Sequence, residues 1–564
     1  MQALDSSASS IGGTGDTLSL TEKILSARFT PFVVSGIFVA LLLAWSRLDF
    51  SIPTHDAANH SNYSSLVEQW LCRPKGWNLD SLRSILTLMP NYPAGGWFFN
   101  AICKIIVGNS RFGEQIILAL HLLILNFAVW KSCMFLLKNR AQAALSLIFL
   151  DCCPIILVLQ HSPLLDLQQT ALFMLFFWCL LCWWQNQSWK NTWPLALLFG
   201  FYCVTKQTSI LYSAPSLCVA GLISLYQKRF ASVAQLGVVA LSAALMLLTW
   251  VLPNWTYLFS YSQERGSFAS QHMGVLSSIF FDIKESLFLI VQGLSLPLAV
   301  MLVAMALARK IRVGDLKSLS PLLLSSFAGT ILISILAYYN APEARYYAPS
   351  VVALCVLLAA AAANLLRSSR LGEYAVVAAL LASFVQALLL CFQPLPPASS
   401  APLMLERPQN YISGVREVNM LEHLAYVPKG DAWKQLWIFD VIEAADPGRS
   451  VYLNVLSNSK PFNLGTLAFV AKLRKSKVKV TIWRGIGANI TDTFAYTDES
   501  LRCMQWILEK TGDENVPFFN SSSHDSYLEV LQKIKAGGKY IVWSKQKLPD
   551  GTELILYRNK DWMP

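Results

Sequence analysis

The chain has 564 residues, of which 54% are hydrophobic and only 14% are charged, and its mean hydropathy is +0.44. This composition excludes a soluble protein of two or three domains and indicates a polytopic membrane protein. The net charge of +11 does not indicate a nucleic-acid partner, because most Lys and Arg of the membrane part lie in short loops that alternate along the chain.

Eleven apolar segments between residues 31 and 392 predict membrane-spanning helices, since a span needs roughly 17 to 22 apolar residues. With the tail of residues 1–30 in the cytoplasm, the basic loops all fall on the cytoplasmic side. The first loop, residues 47–112, and the C-terminal part then lie outside the cytoplasm. The predicted spans are residues 31–46, 113–136, 142–158, 166–184, 193–205 (which is short), 208–226, 232–252, 286–308, 320–338, 350–366 and 372–392.

The first outer loop opens with the polar segment PTHDAANHSNY, residues 53–63. Asp56 lies there between His55 and His60, at the mouth of a span, where a carboxylate suits a general base for group transfer. The alternative is that Asp56 caps a helix starting near Ala57. Further along, residues 80–88 and 96–107 predict short amphipathic helices along the membrane surface.

Three charged residues elsewhere fall on the same predicted face as Asp56. Asp166 opens the fourth span, where a structural helix cap is the alternative. Lys206 lies between two apolar runs and needs an anionic partner; a lipid phosphate is one solution, and snorkelling or a pair with Asp166 is the other. Arg345 has a planar guanidinium that can bind a phosphate through two hydrogen bonds. The alternative to phosphate binding is an ion pair between Arg345 and Glu343.

Imidazole and carboxylate groups are ordinary metal ligands, so His55, Asp56, His60 and His161 could surround a divalent metal. No specific ligand spacing supports such a site, and no cysteine pair predicts a zinc site. A divalent metal therefore stays open as a cofactor. The tryptophans near span ends are predicted to be mostly interfacial anchors: Trp97, Trp189, Trp193, Trp250 and Trp255.

The composition becomes that of a soluble domain near residue 400, after a linker at residues 393–405. Residues 406–564 predict an extracytoplasmic α/β domain, with strands in SVYLNVLSN, VKVTIWRG, KYIVWSK and ELILYRN. Helical stretches are predicted near residues 464–475, 498–511 and 525–536. This domain contains no catalytic signature.

Several segments, taken in order, resemble the GT-C superfamily of membrane glycosyltransferases, particularly the branch of the protein O-mannosyltransferases and the aminoarabinose transferase of lipid A. The resemblance covers roughly residues 30 to 366. It depends on the joint order of PTHDAANHSNYSSLV, NYPAGGWFFNAICKIIVG, HSPLLDLQQTALFMLFFW, LALLFGFYCVTKQTSILYSAPSL and ARYYAPSVVALCVLLAA. It implies a GT-C-like membrane domain of about 11 transmembrane helices.

In this family the donor is a sugar on a polyprenyl phosphate. The proposed catalytic base of the family is an aspartate in the first loop, and it corresponds to Asp56 in this sequence. The second acidic position corresponds to Asp166. Two positions depart from the family pattern: Ala57 stands where many relatives have Glu, and Tyr92-Pro93-Ala94 stands where they have HPP.

The resulting hypothesis is an inverting transfer of one sugar from a polyprenyl monophosphate to a lipid, glycan or protein acceptor outside the cytoplasm. Lys206 and Arg345 would hold the phosphate, Asp56 would deprotonate the acceptor, and Asp166 would orient the acceptor or the backbone of the first loop. An oligosaccharyltransferase-like enzyme with a lipid diphosphate donor and a lipid or solute transporter are the alternatives. Further contacts to the acceptor or the loop are expected from His55, His60, Tyr63, Tyr92 and His161.

Overall fold

The structure is a computed structural model. It describes residues 20–48, 55–73, 76–90, 92–270, 283, 286–287, 289–291, 293–337, 344–392, 434–456, 462–482, 504–512, 521–548 and 551–562. The helices are α1 Leu20–Ser26, α2 Thr30–Leu48, α3 His55–Leu71, α4 Leu79–Leu86, α5 Gly95–Val107, α6 Arg111–Leu137, α7 Arg140–Asp151, α8 Pro154–His161, α9 Leu165–Gln185, α10 Trp189–Cys203, α11 Ser209–Tyr226, α12 Phe230–Ser270, α13 Leu296–Leu307, α14 Val313–Ala337, α15 Ala348–Ser368, α16 Arg370–Phe392, α17 Gln435–Ala445, α18 Leu464–Leu473 and α19 Ser521–Ala536.

The helical bundle confirms the predicted fold class of a polytopic membrane protein. In the described part of the chain, eight helices are long and apolar enough to cross a membrane. The pair α7 and α8, bent by 62°, forms a ninth candidate span. The other two predicted spans correspond to shorter helices, the 15 residues of α10 and the 12 residues of α13.

Small residues allow the most buried helices to pack closely at the centre of the bundle. Helix α15 contains the run Ala359–Ala363, all of it buried, and packs against α7. On α7, Ala141, Ala143 and Ala144 are fully buried in turn. Small side chains let helix backbones approach, and in lipid this close packing replaces the hydrophobic driving force.

The end of the predicted N-terminal tail forms a helix. Residues 20–26 form helix α1, and the buried side chain of Leu25 joins the core of the bundle. Glu22 of the same helix accepts a hydrogen bond from Arg367 Nη2 at 2.6 Å. Apolar burial and this ion pair hold α1 against the bundle, so the end of the predicted tail is part of the fold. Residues 1–19 lie outside the described part.

The described part of the first loop contains three helices. Helices α4 and α5 confirm the two predicted at residues 80–88 and 96–107. Helix α3 precedes them and spans 17 residues. Ala57, Ala58 and Val67 are buried on α3, so this rather polar segment has a packed face. Asp56 lies in the first turn of α3, one residue inside the helix, and is not its N-cap.

The described residues of the C-terminal domain form a five-stranded sheet in the order β2-β1-β3-β5-β4. The neighbours of β1 are parallel to it, whereas β5 is antiparallel to both β3 and β4. Four of its strands were predicted, as were helices α18 and α19. The strands are β1 Val451–Val455, β2 Val478–Ile482, β3 Trp506–Lys510, β4 Tyr540–Lys547 and β5 Glu553–Asn559.

The predicted helix at residues 498–511 is wrong where the structure describes it, because Trp506–Lys510 is the central strand β3. All five of its residues are buried. A central strand is covered on both faces, so it lacks the alternation of apolar and polar residues by which strands are recognised. Helix α17 was not predicted.

Candidate active site

One ion pair joins the first loop to the start of α15. Arg345 lies in the 3-10 turn Ala344–Tyr347, directly before α15. Its Nη2 donates a hydrogen bond to Asp56 Oδ2 at 2.8 Å. The side chains of Arg345 and Asp56 are 11% and 16% exposed, so both charges keep limited access to solvent. The alternative partner of Arg345, Glu343, lies outside the described residues.

A second ion pair joins the start of α9 to the turn between α10 and α11. Lys206 Nζ donates to Asp166 Oδ1, and the side chains of both residues are almost completely buried. The backbone before α9 has no side-chain cap, so Asp166 does not serve as one. The buried ammonium does not snorkel to the surface. The pair with Asp166, one of the two alternatives for Lys206, is therefore what the structure contains.

Tyr346 connects the two ion pairs. Its ring centroid lies 4.6 Å from Lys206 Nζ and 5.4 Å from Arg345 Cζ, so both cations are within the range of cation–π attraction. Asp166 in turn interacts electrostatically with Arg345. Two carboxylates and two cations, from four separate parts of the sequence, thus form one cluster at one end of the bundle.

Aromatic side chains from α3 and from the residues before α5 line this cluster. His60, one turn after Asp56, contacts the ring of Tyr92 edge-on at 5.1 Å between centroids. Burial lowers the pKa of His60 to about 4, so its imidazole is neutral at neutral pH. Burial also raises the pKa of Tyr63 and, more strongly, that of Tyr92. Both phenols are therefore protonated at neutral pH and can act as hydrogen-bond donors.

Trp97 corrects the expectation that it anchors the chain at the membrane interface. Its side chain is fully buried, its ring packs on Tyr63 at 4.9 Å between centroids, and its Nε1 donates to His60 Nδ1 at 3.0 Å. The other tryptophans near span ends carry the same sequence signal, a position close to the end of an apolar run. Trp189, Trp193 and Trp255 are indeed exposed, as expected for anchors.

Two glycines bring α5 against the turn that carries Lys206. Gly95 N donates to Val204 O at 2.9 Å, and a Cβ on Gly95 would lie 2.7 Å from that same oxygen. A Cβ on Gly96 would lie 2.9 Å from the side chain of Leu165. A larger residue at Gly95 would separate the two backbones. The Gly-Gly pair in the predicted interfacial segment was the available sequence signal for this contact.

A buried ion pair holds the opposite side of α3. Lys104 of α5 donates to Glu114 Oε1 of α6 at 2.9 Å, to Ser61 O at 2.9 Å and to Ser65 Oγ at 3.0 Å. Ser61 also donates to Glu114. Because these groups lack water as a substitute partner, the network fixes the position of α3 relative to α5 and α6. Sequence reasoning did not identify it.

The C-terminal domain contacts the helix that carries Asp56. Helix α18 packs against α3, and Asn62 Nδ2 donates to Gly465 O at 3.2 Å. A Cβ on Gly465 would overlap the carboxamide of Asn59, so glycine is what permits this close approach. Neither contact could be anticipated from the sequence, since roughly 400 residues separate the two helices.

The predicted histidine and carboxylate metal ligands are not brought together as a group. His161 stacks on Trp45, with 3.8 Å between ring centroids. His60 lies against Trp97 and Tyr92, and the side chain of His55 is outside the described part. Among the residues that the structure describes, no group of three His, Cys, Asp or Glu side chains could hold a metal ion.

Comparisons with known proteins support the resemblance seen in the sequence. Residues 90–257 match the family described as dolichyl-phosphate-mannose-protein mannosyltransferase. The fold is similar to the crystal structure of ArnT from Cupriavidus metallidurans in the apo state, with 16% identity, a TM-score of 0.53, and coverage of 94% of this chain and 98% of that one. No curated protein matches the chain significantly.

A second crystal structure of the same ArnT, bound to undecaprenyl phosphate, has 14% identity and a TM-score of 0.50, with the same coverage of both chains. The matched family segment contains Tyr92, Trp97, Asp166 and Lys206 but neither Asp56 nor Arg345. The resemblance to GT-C membrane glycosyltransferases that the sequence predicted is confirmed by the family match together with the fold.

Proposed function

We propose that this chain, a membrane glycosyltransferase of the GT-C type, transfers one sugar from a polyprenyl monophosphate to a lipid, glycan or protein acceptor outside the cytoplasm. The observation that carries the proposal is the cluster of Asp56–Arg345 and Asp166–Lys206 around Tyr346. It offers one base and two cations at one end of a helical bundle. The bound undecaprenyl phosphate of the similar ArnT chain supports a polyprenyl phosphate as the lipid.

In the proposed reaction the acceptor oxygen attacks the anomeric carbon of the donor sugar and loses its proton to a carboxylate oxygen of Asp56. The bond from that carbon to the phosphate oxygen breaks, and its electron pair stays on the polyprenyl phosphate. The configuration at the anomeric carbon is thereby inverted. Lys206 and Arg345 stabilise the charge that develops on the leaving phosphate, which is an electrostatic contribution of the kind that often dominates catalysis.

The ion pairs suggest how donor binding prepares the base. In the structure Arg345 is paired with Asp56. A phosphate, like a carboxylate, can bind the guanidinium through two charge-assisted hydrogen bonds, so a bound donor phosphate would compete with Asp56 for Arg345. Asp56 would then lose its ion pair with Arg345 and could accept the proton of the acceptor.

Asp166 keeps a second role in this scheme. Its Oδ1 is bound by Lys206, whereas its buried Oδ2 has no hydrogen-bond partner in the described part of the chain. A buried acceptor without a partner is costly unless a ligand or water supplies a donor. Asp166 Oδ2 therefore suits a hydroxyl group of the sugar or acceptor, which it would orient.

The C-terminal domain would cover the site or recruit the acceptor. The support for this role is its direct contact through α18 with the helix of the proposed base. An acceptor held by the domain could then be presented to Asp56.

The test is mass spectrometry of the lipids that co-purify with the wild-type protein and with Asp56→Asn. A variant without its base should retain unreacted donor, so a polyprenyl monophosphate sugar enriched in Asp56→Asn would support the proposal and identify the sugar. Asp151→Asn is the matched control, because Asp151 is buried on α7 and pairs with Asn126. Only bulk phospholipid in all three proteins would contradict the proposal and favour the transporter alternative.

A lipid diphosphate in place of the monophosphate would favour the oligosaccharyltransferase-like alternative. Such enzymes tend to need a divalent metal, so transfer in the presence of EDTA separates the two donor classes further. Full transfer after EDTA treatment would count against the diphosphate enzyme.

A further inference from the structure

The hydrogen bond between Trp97 and His60 determines which ring nitrogen of the histidine carries a proton. An indole N–H can only donate, so His60 Nδ1, 3.0 Å from Trp97 Nε1, must act as an acceptor and be unprotonated. A neutral imidazole has a single N–H, and burial keeps His60 neutral at neutral pH. The proton of His60 is consequently on Nε2.

The packing around the pair holds this arrangement in place. The side chains of Trp97 and His60 are 0% and 2% exposed, so water does not compete for the hydrogen bond. Tyr63 covers the indole from the same helix as His60, and Tyr92 contacts the imidazole edge-on. Side chains that are packed and hydrogen-bonded in this way lose little further freedom when a ligand binds.

The ring lies within the electrostatic reach of every charged member of the site. Asp56, Lys206, Arg345 and Asp166 all interact with the imidazole of His60. Among the described residues, no hydrogen bond from His60 Nε2 to a protein acceptor is found. A fixed, neutral N–H donor thus stands among two carboxylates and two cations, next to the place where the substrate would react.

A neutral donor has a chemical advantage over a charged one at this position. An imidazolium one helical turn from Asp56 would stabilise its carboxylate and make it a weaker base. A neutral imidazole can still polarise an oxygen through its N–H, as neutral histidines do in other active sites. Trp97 favours the neutral form, because the indole hydrogen occupies the lone pair that protonation would require.

We propose that Trp97 is a positioning residue that holds His60 neutral as its Nε2–H form, and that His60 donates this hydrogen to an oxygen of the bound sugar phosphate. The role of His60 in transfer rests on the proposed function. The protonation pattern of the ring does not rest on it, so the two parts can be tested separately.

The first experiment measures the ring nitrogens directly. Selective ¹⁵N labelling of histidine, with His60 assigned by comparison with His60→Gln, should show a protonated Nε2 and an unprotonated Nδ1 at neutral pH. In Trp97→Phe, which keeps an aromatic ring against Tyr63, the two forms should mix and protonation should begin at higher pH. A protonated Nδ1 in the wild-type protein would overturn the assignment whatever reaction the protein catalyses.

The second experiment measures transfer as a function of pH. Trp97→Phe should lower kcat/KM roughly tenfold, the usual consequence of losing one buried hydrogen bond, and should move the acid limb of the profile to higher pH. His60→Ala should lower kcat/KM as well, and adding Trp97→Phe to it should cost nothing more, since the indole acts only through the imidazole.

Trp45→Phe is the matched control. Trp45 is also a buried tryptophan next to a histidine ring, that of His161, but its Nε1 has no hydrogen-bond partner in the described part of the chain. Its pH profile should equal that of the wild-type protein. Additive losses from Trp97→Phe and His60→Ala, with an unmoved acid limb, would show that Trp97 merely fills space and would overturn its positioning role.

The two readouts also separate this inference from the proposed function. If no variant and no wild-type preparation transfers sugar, the proposed function fails while the nitrogen spectra still decide the state of His60. If transfer occurs and His60→Ala matches the wild-type rate, the role of His60 fails while the proposed function stands.

Discussion

Arg345 and Asp56 form a 2.8 Å ion pair although 289 residues separate them in the sequence. The pair connects the first turn of α3 to the 3-10 turn before α15. Both residues thus belong to one site, in which the proposed base is paired with the proposed phosphate-binding cation. This relationship leads to a prediction for the cation.

Arg345→Lys keeps the positive charge but loses the planar fork, so we expect donor affinity to fall about tenfold while the protein stays folded. The measurement is the Kd for a polyprenyl phosphate in detergent solution. Arg367→Lys is the matched control, because Arg367 lies at the other end of the same apolar segment and pairs with Glu22. Equal affinity in wild type and Arg345→Lys would remove Arg345 from the phosphate site.

The buried pair of Asp166 and Lys206 leads to a prediction about stability. Replacing either residue alone, as in Lys206→Met or Asp166→Asn, leaves a buried charge without its partner and should cost roughly 3 to 5 kcal/mol. The double variant should recover much of that loss but not the transfer activity, since both groups also serve the reaction. Thermal unfolding of the three purified variants, each followed by an activity assay, measures both effects. Single variants as stable as the wild type would contradict the buried pair.

The contact between α18 and α3 predicts that the size of residue 465 affects activity. Gly465→Val would press against the Asn59 carboxamide and push α18 away from α3, so transfer should fall at least several-fold. Gly465→Ala should have a smaller effect, because a single Cβ can be accommodated by rotation of the Asn59 side chain. Gly237→Val is the control, since a Cβ at Gly237 would meet no atom within 4 Å. Unchanged transfer in Gly465→Val would show that the C-terminal domain does not act through this contact.

The buried imidazole of His60 predicts a pH dependence of stability. Burial lowers its pKa from 6.5 to about 4, so the unfolded chain binds more protons than the folded protein between these two values. The stability present above pH 6.5 is therefore lost as the pH falls towards 4, by about 3 kcal/mol in total for this group. His60→Gln should lose less stability over that range. Melting temperatures of both proteins at pH 7 and pH 4.5 measure the difference, and parallel curves would contradict the prediction.

The sequence predicted the spans, the α/β domain and the four charged residues because each carries a local signal. Apolar length, charge alternation and turn residues are properties of neighbouring residues in the chain. Sequence patterns could not show that Arg345 pairs with Asp56, or that Gly465 lies against Asn59, because these contacts join segments that are distant along the chain. The prediction that Trp97 is an interfacial anchor was wrong for a different reason. A tryptophan at the membrane interface and a buried one that orients a histidine occur in the same kind of apolar sequence.

Strand β3 shows the limit of pattern reading in the soluble domain. Trp506–Lys510 has no period of two because both faces of the central strand are covered, and flanking residues with helical propensity favoured the wrong interpretation. The sheet neighbours on both sides, β1 and β5, decide its conformation. Such tertiary context is absent from any local window of sequence.

The order in which the site residues occur along the chain has a consequence for biogenesis. During synthesis Asp56 emerges early, Asp166 and Lys206 follow, and the guanidinium of Arg345 is made only after most of the bundle has been translated. Helix α18, which packs on the helix of the base, comes last. A nascent chain that has inserted only its first helices therefore possesses the proposed base without Arg345, one of the two cations proposed to stabilise the leaving phosphate. Its competence for transfer would begin only when the late segments have docked.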